Sequence, residues 1–526
     1  MERTQKSRRG AWRAFHRAAP WHNTKWFGKI RNTMKQNNYN PPCPPYQGGR
    51  RMRTTYKNYI DSTVWVITLL FTLITNANAQ HDWTEQVAAY KPMVVNVETS
   101  SEVVFETEAK GTNFATGFVV DAERGIIATN RHVTGSSPAY VKINFHDGSF
   151  TEARILYYDP THDFGFYQIN PEEVDFELKA VELGEWEALS LGDELLLIGN
   201  NEKEEYTIKF GRITNLNVNK GDRHSSYIHT TFDRTGGSSG SPVWNTAGQV
   251  IAIHARGTDT SSFELPINYL HDALELIQNE AAIQRGEIGV DLELVSIGEA
   301  IKHFNFPAVL RKEIGPSKAG TPKVIQIESI VPRTTGETVL RASDIIYRIN
   351  NELIKDDLYT FDAILNRNVG KNVNLEVYRN GENLSLDVPV EDLEAKKVQR
   401  FVRFGGAVFH DITPQLRRIL FLEADGVYLP HADAGSSFSR VGLQERNGNS
   451  KVVILDINGK QIRNLDDFIE ACKTITDGQH TYVVVRDFNL FDSSPTPKSL
   501  TVNLKFGPLQ EFEWNPEMLD WEEVGE

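Results

Sequence analysis

Short apolar runs separated by turn residues dominate the middle of the chain and predict a region built from β-strands. Between residues 94 and 282 these runs, such as 116–120 and 194–199, are bounded by Gly, Asn and Asp. Many short strands with turn residues between them are typical of packed β-barrels. Apolar positions at helical spacing over 269–282 then predict a helix that ends this region.

Beyond residue 285 the pattern changes to strands mixed with single helices, and this scheme occurs twice. Each stretch predicts early strands, one helix and a late strand: 324–327, 340–351, 361–365 and 373–377 in the first, and 405–409, 426–429, 451–460, 465–472 and 482–485 in the second. Such a mixture indicates two α+β domains. The predicted fold class is therefore mainly β, with two packed barrels followed by two α+β domains.

The first 51 residues differ from the rest in composition. They carry twelve Lys and Arg against one acid, include a proline-rich run at 40–45, and show no periodic apolar pattern. Such a segment is predicted to be a disordered basic leader. Two interpretations stay open: a nucleic-acid-binding arm, or a true start at Met52 with residues 1–51 not translated.

Residues 52–79 have the pattern of a secretory signal peptide. A short basic stretch precedes the apolar core 64–74, and Ala77-Asn78-Ala79 has the form of a cleavage site, so the mature chain would begin at Gln80. This pattern predicts an exported, periplasmic protein. The alternative is a membrane anchor formed by an uncleaved segment 62–79.

Charge and cysteine content restrict the possible partners of the remaining chain. Residues 1–79 hold fourteen Lys and Arg against two acids, so residues 80–526 carry a formal charge of −26. An acidic surface of this kind argues against nucleic acid as a partner. Cys472 is the one cysteine after Gln80, and no Cys/His cluster has metal-ligand spacing. We predict no disulfide, no metal and no cofactor.

The stretch 235–243, Thr-Gly-Gly-Ser-Ser-Gly-Ser-Pro-Val, is a candidate nucleophile loop. A serine between glycines, followed by an apolar run, suits the nucleophile of a chymotrypsin-like double β-barrel. Glycines allow a turn tight enough for neighbouring main-chain N–H groups to form an oxyanion hole beside the Ser239 hydroxyl. Gly237 and Ser238, with the N–H of Ser239 itself, are the candidate donors. A plain Gly/Ser turn between strands is the alternative.

A serine nucleophile needs a base and a group that orients the base, and two upstream segments supply them. The segment 126–133 is predicted to be a buried strand that ends in a histidine, His132. Asp163 precedes the apolar segment 164–166. The order His132, Asp163, Ser239 is that of chymotrypsin. The sequence therefore predicts a catalytic triad. Asp159 is the alternative acid, and Ser238 and Ser241 are the alternative nucleophiles.

The segments TNRHV, DPTHDFGF and GGSSGSPV resemble those of the HtrA/DegP serine proteases. The Gly-Ser-Ser-Gly-Ser-Pro form is closer to the branch of fungal nuclear HtrA-like proteases than to DegP. Members commonly read Gly-Asn-Ser-Gly-Gly-Pro, so Ser238 and Ser241 depart from the usual pattern. The resemblance covers nearly all of residues 90–505.

The resemblance implies a serine endopeptidase that acts without ATP or cofactor on unfolded or damaged proteins. It also implies a homo-oligomer built from trimers, for which Trp83 and Tyr90 are candidate contact residues. The alternative is a peptide-binding chaperone or stress sensor with an inactive or latent protease fold. The expected domains are a basic leader 1–51, a signal peptide 52–79, a trypsin-like domain 80–284, a PDZ domain 285–395, a PDZ-like domain 396–508 and an acidic aromatic tail 509–526.

Two binding regions follow from the resemblance. Ile253, His254 and Ala255 would form a wall of the specificity pocket, suited to small or medium aliphatic side chains, with His254 as a polar departure. In the first PDZ domain, the N–H groups of 288–290, which are Ile288, Gly289 and Val290, would hold the carboxylate of C-terminal peptides. Glu287 stands there in place of the usual aromatic residue. Whether the second PDZ-like domain binds peptides, and whether the tail is disordered or docks its aromatic residues, stay open.

Overall fold

The computed structural model describes residues 81–201, 204–219, 225–233, 236–258, 260–317, 320–443, 451–488 and 494–525. The predicted leader, signal peptide and alternative anchor therefore lie outside the described residues. Within those residues, none of the helices combines the length and apolar character needed to cross a membrane. The structure is built mainly from strands, as predicted.

Barrel 1 is a closed barrel of six strands in the order β1-β2-β3-β6-β5-β4. Helix α1 (Thr84–Tyr90) precedes it and the single turn α2 (Arg131–Thr134) follows β3. The strands are β1 (Val94–Ser101), β2 (Gly111–Asp121), β3 (Ile126–Thr129), β4 (Tyr140–Asn144), β5 (Phe150–Tyr158) and β6 (Gly165–Gln168). Alternating apolar residues fill the interior, among them Val95, Val97, Val119, Ile127 and Ile143.

Barrel 2 is formed by a seven-stranded sheet in the order β11-β8-β9-β10-β13-β12-β7, which the pairing of β11 with β12 closes. The strands are β7 (Glu182–Leu183), β8 (Glu194–Asn201), β9 (Glu204–Asn219), β10 (Ser226–Thr230), β11 (Pro242–Trp244), β12 (Gln249–Thr258) and β13 (Ser261–Pro266). Helix α3 (Asn268–Gln278) follows, as the spacing predicts. One core cluster joins Phe118 and Phe166 of barrel 1 to Ile198 and Trp244 of barrel 2.

The first α+β domain has a main sheet ordered β15-β16-β17-β19-β20, with β18 on β17 and a separate β14–β21 pair. Its strands are β14 (Gly286–Glu287), β15 (Val290–Ser296), β16 (Lys323–Ile330), β17 (Ile345–Ile349), β18 (Glu352–Leu353), β19 (Asn372–Arg379), β20 (Glu382–Pro389) and β21 (Glu391–Asp392). Its helices are α4 (Ile297–His303), α5 (Arg311–Ile314) and α6 (Leu358–Arg367). Ser296 and Glu299 form a capping box that starts α4.

The second α+β domain has one sheet in the order β28-β27-β25-β24-β23-β22-β29-β30, with β26 on β25. Its strands are β22 (Arg400–Phe404), β23 (Ala407–Asp411), β24 (Val427–Ala432), β25 (Val452–Ile457), β26 (Lys460–Gln461), β27 (His480–Asp487), β28 (Thr496–Thr501), β29 (Gln510–Asn515) and β30 (Asp520–Val524). Its helices are α7 (Pro414–Leu420) and α8 (Leu465–Lys473). The predicted tail thus forms a hairpin that extends this sheet.

Both α+β domains contact the barrels. Arg285 of the first pairs with Asp159, and the tail hairpin of the second places Trp521 against Phe105 with ring centroids 5.1 Å apart. Trp83 and Tyr90, suggested as subunit contacts, pack against other residues of the same chain. Trp83 is buried in the core that joins the barrels, so its expected role as a contact residue is not supported. Tyr90 stacks on Trp244 at 5.1 Å.

Candidate active site

His132 lies at the rim of barrel 1, on the helical turn α2. The four residues of β3 are all buried, and the buried Asn130 that follows them donates from Nδ2 to the main-chain oxygen of Asp163 over 2.9 Å. Apolar residues hold β3 inside the barrel, and the strand ends at the polar sequence Asn-Arg-His, of which His132 is the exposed residue. Asn130 therefore ties the start of α2 to the loop that carries Asp163.

The imidazole of His132 is hydrogen-bonded to the carboxylate of Asp163. Nδ1 of His132 lies 2.9 Å from Oδ2 and 3.1 Å from Oδ1, and the main-chain N–H of His132 donates to Oδ1 over 3.1 Å. The side chain of Asp163 is 3% exposed and that of His132 is 43% exposed. Because an ionised carboxylate only accepts, the proton of the neutral ring lies on Nδ1 and Nε2 is left to accept another.

Asp159, the alternative acid, shapes the turn before Asp163. Its Oδ1 accepts the main-chain N–H groups of Thr161 and His162 over 2.8 and 2.7 Å, and its Oδ2 accepts from Nε of Arg285. Burial opposes the charged form, but the Arg285 guanidinium outweighs burial and holds the pKa of the Asp159 carboxyl well below its usual range. Of the two acids, Asp163 is therefore the one that reaches the imidazole.

The loop that carries Ser239 is anchored to both barrels through its backbone. Thr116 of β2 donates its N–H to the oxygen of Ser239 and its hydroxyl to that of Gly237, both over 2.9 Å. Gly240 donates its N–H to the oxygen of His254 in β12 over 3.0 Å. Gly240 has φ 84°, and a Cβ there would lie 2.1 Å from the Thr116 oxygen, so only glycine fits.

Of the three serines in this loop, Ser239 is the one that is partly exposed. Ser238 and Ser241 are buried, and Oγ of Ser241 donates to the oxygen of Ser238 over 2.7 Å. Within the described residues, the structure records no hydrogen bond between the Ser239 hydroxyl and His132. Such bonds are often long in enzymes without substrate. The structure thus brings His132 and Asp163 together, and fastens Ser239 to the strand beside β3.

Two main-chain N–H groups of the loop are available to an oxyanion. Those of Gly237 and Ser239 donate no hydrogen bond within the described part of the chain. Gly237 has φ 89°, in the left-handed region that favours glycine. The third predicted donor, Ser238, is buried, and its oxygen also accepts the N–H of Ser241 over 3.1 Å. Free N–H groups next to a serine hydroxyl are what oxyanion stabilisation requires.

The predicted wall of the specificity pocket is more polar than expected. Ile253 and Ala255 are buried in the core between the barrels, but His254 between them places Nδ1 2.9 Å from Oε2 of Glu264. Glu264 is fully buried in β13. His254 thus faces Glu264, while Ile253 and Ala255 are buried in the core between the barrels and contribute no aliphatic lining on the side of His254.

The loop expected to hold a peptide carboxylate already holds a carboxylate of this chain. Oε1 of Glu287 accepts the N–H groups of Ile288 and Gly289 over 3.0 and 2.6 Å. Oε2 of Glu287 accepts from Nη2 of Arg418 in α7 over 2.8 Å. Val290 opens β15, and its carbonyl oxygen lies 3.4 Å from the same guanidinium nitrogen. Two of the three predicted donors are thus occupied.

The sequence did not indicate the roles of Glu264 and Arg418. Glu264 gave one usable signal, because it is a single acid in an otherwise apolar segment. Arg418 gave none, since it follows Glu287 by 131 residues and the two meet only through packing of the α+β domains. Its Nε also donates to Oδ1 of Asp291 over 2.6 Å, so the cation is held from two sides.

Groups of metal-ligating side chains and reactive thiols are not found in the part of the chain that the structure describes. Among the residues that the structure describes, no three His, Cys, Asp or Glu side chains are grouped to hold a metal ion. Cys472 is buried in α8, and burial raises the pKa of its thiol well above the usual value.

Family models match three parts of the chain. Residues 115–253 match a trypsin-like peptidase domain, residues 286–390 a PDZ domain and residues 397–478 a PDZ-like domain. The peptidase match contains strands β3 to β11 and all three predicted triad residues. The two other matches fall on the two α+β domains, which are hereafter the first and second PDZ domains.

Curated relatives are fungal proteases. The chain is 31% identical over 418 residues to the Pro-apoptotic serine protease NMA111 of Lodderomyces elongisporus, covering 77% of this chain and 42% of that protein. It is 32% identical over 416 residues to the protein of the same name from Ajellomyces capsulatus, covering 75% of this chain and 39% of that protein. The chain therefore spans less than half the length of these relatives.

Among solved structures, "HtrA-type protease AlgW with tripeptide" is similar with a TM-score of 0.45 and 21% identity, covering 59% of this chain and 97% of that one. A serine endoprotease from Yersinia pestis gives a TM-score of 0.41 and 19% identity, covering 60% and 99%. The domain matches define a trypsin-like peptidase carrying two PDZ domains. Along about three quarters of its length the chain is similar to fungal NMA111 serine proteases.

The predicted periplasmic location is wrong. The relatives that match three quarters or more of this chain are proteins of fungi, which are eukaryotes and have no bacterial periplasm. A basic stretch, an apolar core and small residues are a short compositional pattern, and this pattern alone does not define a compartment.

Proposed function

We propose that this protein is a serine endopeptidase in which Ser239, His132 and Asp163 form the catalytic triad. The observation that supports this most directly is the hydrogen bond between His132 Nδ1 and Asp163 at the rim of barrel 1. Ser239 lies on a glycine-bounded loop fastened by Thr116 to β2, which pairs with the strand preceding His132. Nucleophile, base and orienting acid thus belong to adjacent, rigidly held elements.

In the proposed mechanism Ser239 Oγ attacks the carbonyl carbon of the scissile bond while its proton passes to Nε2 of His132. Asp163 stabilises the imidazolium, and the N–H groups of Gly237 and Ser239, or of Ser238, stabilise the oxyanion. His132 then protonates the leaving amine as the C–N bond breaks. His132 then removes a proton from a water molecule that attacks the carbonyl carbon of the acyl-enzyme ester, and it passes this proton to Ser239 Oγ as the ester C–O bond breaks.

The proposed substrates are unfolded or damaged polypeptides. Attack by a serine held in this way requires the scissile carbonyl to lie beside the hydroxyl with its oxygen on the N–H groups. An unfolded segment supplies such an extended backbone, whereas a folded domain does not. We further propose a homo-oligomer built from trimers, as the HtrA resemblance implies, and light scattering of the purified protein gives its mass directly.

Peptide binding at the first PDZ domain is proposed to require the release of Glu287. A peptide's terminal carboxylate and the Glu287 carboxylate would use the same N–H groups of Ile288 and Gly289. Glu287 has the advantage of being intramolecular and of pairing with Arg418. C-terminal peptides are therefore expected to bind weakly until that ion pair opens.

Substitution Ser239→Ala tests the proposed activity. We expect casein hydrolysis and labelling by a fluorophosphonate probe to be lost in this variant, because the hydroxyl is the attacking group. Ser499→Ala is the matched control, since Ser499 is an exposed serine on β28 of the second PDZ domain, and both readouts should stay at the wild-type level. Undiminished hydrolysis in Ser239→Ala would contradict the assignment.

The second candidate function is a peptide-binding chaperone or stress sensor whose protease fold is latent. The absence of a recorded hydrogen bond between Ser239 and His132 among the described residues favours a resting state that needs activation. Suppression of aggregation of an unfolded client by both wild-type protein and Ser239→Ala, with no hydrolysis by either, would support this candidate. Hydrolysis by the wild type alone supports the endopeptidase.

A further inference from the structure

Four polar side chains form a buried network beside the nucleophile loop. They come from three neighbouring strands of barrel 2, namely Thr230 of β10, His254 of β12 and the pair Ser262 and Glu264 of β13. All four are buried, and Glu264 lies opposite Ile228 of the apolar cluster inside barrel 2. Burying an ionisable pair and two hydroxyl groups costs stability unless every group is satisfied, so such a network calls for a functional reason.

Strand register puts these groups on one face. Glu264 lies opposite Ile228 in β10 and opposite His254 in β12, and residues directly opposite in antiparallel strands point to the same side. Ile228 belongs to the interior core of barrel 2. His254 and Glu264 therefore face the barrel 2 side of the sheet, whereas Ile253 and Ala255, on either side of His254, face the core between the barrels.

The hydrogen bonds assign the protons of the network. Oε1 of Glu264 accepts the hydroxyl of Thr230 over 2.7 Å and that of Ser262, and Oε2 lies 2.9 Å from Nδ1 of His254. A carboxylate can only accept, so Nδ1 of His254 carries a proton. Both carboxylate oxygens of Glu264 accept hydrogen bonds from these three groups, and the residue is fully buried.

The other ring nitrogen of His254 is available. Nε2 has no hydrogen-bond partner among the described residues and is not one of the fully enclosed polar atoms that lack one, although the side chain as a whole is 2% exposed. The backbone of His254 is joined to the nucleophile loop on both sides: it accepts from Gly240 N–H over 3.0 Å and donates to the oxygen of Ser241 over 2.9 Å. The ring is thus fixed next to the residue that follows Ser239.

We propose that His254, oriented by Glu264, selects substrates with glutamine or asparagine immediately before the cleaved bond. This inference rests on the proposed endopeptidase function and names the class of side chain that its specificity pocket takes. The choice of a carboxamide follows from the protonation of the ring. Neutral His254 offers an acceptor at Nε2, which the amide NH2 of the substrate matches, and protonated His254 offers a donor, which the amide oxygen matches.

Other side chains match the ring in one state only. A carboxylate needs the protonated ring, a lysine ammonium needs the neutral ring, and an aliphatic side chain leaves Nε2 desolvated without a partner. A site built to hydrogen-bond a substrate group discriminates strongly against analogues that lack it, because its own polar atom is then left unpaired. The carboxamide is therefore the side chain that matches the ring in either protonation state.

The test compares internally quenched peptides that differ only in the residue before the cleaved bond. We expect kcat/KM to be about tenfold or more higher for glutamine than for methionine of similar length, and likewise for asparagine over leucine. Equal rates for glutamine and methionine, or faster cleavage of methionine, would overturn the proposal.

The double variant His254→Val/Glu264→Leu removes both ionisable partners at once, so that neither is left buried alone. Thr230 and Ser262 remain able to bond each other, since their oxygens already lie 3.0 Å apart. We expect this variant to lose the glutamine preference, so that the ratio of kcat/KM for glutamine over methionine falls below one. An unchanged preference would show that His254 does not select the substrate.

A binding measurement separates this proposal from the proposed function. Ser239→Ala protein is titrated with the same peptides, amidated at the C-terminus so that they do not bind at residues 288–290 of the first PDZ domain. The control is the triple variant Ser239→Ala/His254→Val/Glu264→Leu, titrated in the same way. We expect about tenfold tighter binding of the glutamine peptide than of the methionine peptide, lost in the triple variant. This result would support the selectivity even if the wild type hydrolysed nothing, and equal affinities would refute it.

Discussion

At the scale of single residues, the contact between Asp163 and His132 is the feature with the most direct consequence. Asp163→Asn would turn an acceptor into a group that can donate, so His132 would carry its proton on Nε2, where it cannot take the serine proton. We expect kcat to fall by about 10³- to 10⁴-fold with little change in KM. Peptide hydrolysis with steady-state kinetics measures this, and Asp175→Asn, at an exposed position, should behave as wild type.

Individual residues also show what the sequence can and cannot indicate. His132 and Asp163 were identifiable because each ends or precedes an apolar run, and the two meet as that pattern predicts. The ion pair between Asp159 and Arg285 was not identifiable from the sequence, because the two residues are 126 positions apart and belong to different domains. Long-range ion pairs of buried groups depend on domain packing, which local patterns do not encode.

At the scale of elements, the two-residue strand β14 and the turn after it make a prediction about peptide binding. Glu287→Ala would free the N–H groups of Ile288 and Gly289 while Asp291 still pairs with Arg418. We expect about tenfold tighter binding of peptides with a free C-terminal carboxylate, measured by fluorescence anisotropy, because a charge-assisted competitor is removed. Amidated peptides should gain nothing, and Glu293→Ala, an exposed acid on β15, should leave the affinity unchanged.

Elements with a strong local pattern were predicted closely. The stretch 465–472 was expected to be a helix and is α8, Leu465–Lys473, and 361–365 lies within α6, Leu358–Arg367. In both cases an Asn or Asp caps the first turn and apolar residues recur at helical spacing. The tail hairpin was not predicted, because its strands mix aromatic and acidic residues and gain their order from β22 and from Phe401, on which Phe512 stacks at 4.6 Å.

At the scale of the whole molecule, the second PDZ domain reaches the turn that carries His132 through one buried acid. Glu106 accepts from Nη2 of Arg131 over 2.7 Å and from the hydroxyl of Thr413 over 2.6 Å, and its N–H donates to Nε2 of His410 over 3.0 Å. Burial opposes the charge of Glu106, but Arg131 outweighs it and lowers the pKa of this carboxyl. The residue before His132 is thereby linked to two residues of the second PDZ domain.

This linkage should make the molecule sensitive to acid. Nδ1 of His410 donates to the oxygen of Asp411 over 2.7 Å, so Nε2 must stay unprotonated to accept from Glu106. Burial lowers the pKa of His410 from 6.5 to about 4 despite the nearby Glu106 carboxylate. Between these values the unfolded chain binds a proton that the folded chain excludes, so stability falls as pH is lowered from 6.5 to 4, by about 3 kcal/mol when complete.

The measurement is the urea midpoint of unfolding at pH 7, 5.5 and 4 for wild type and His410→Gln. Glutamine can accept the Glu106 N–H but does not titrate, so the variant should lose less stability on acidification than the wild type, although both lose some as their carboxylates protonate. His303→Gln, the same change at an exposed histidine, should follow the wild-type curve. Parallel curves for wild type and His410→Gln would mean that the interface tolerates a charged His410, and Glu106 would then hold the two domains together without it.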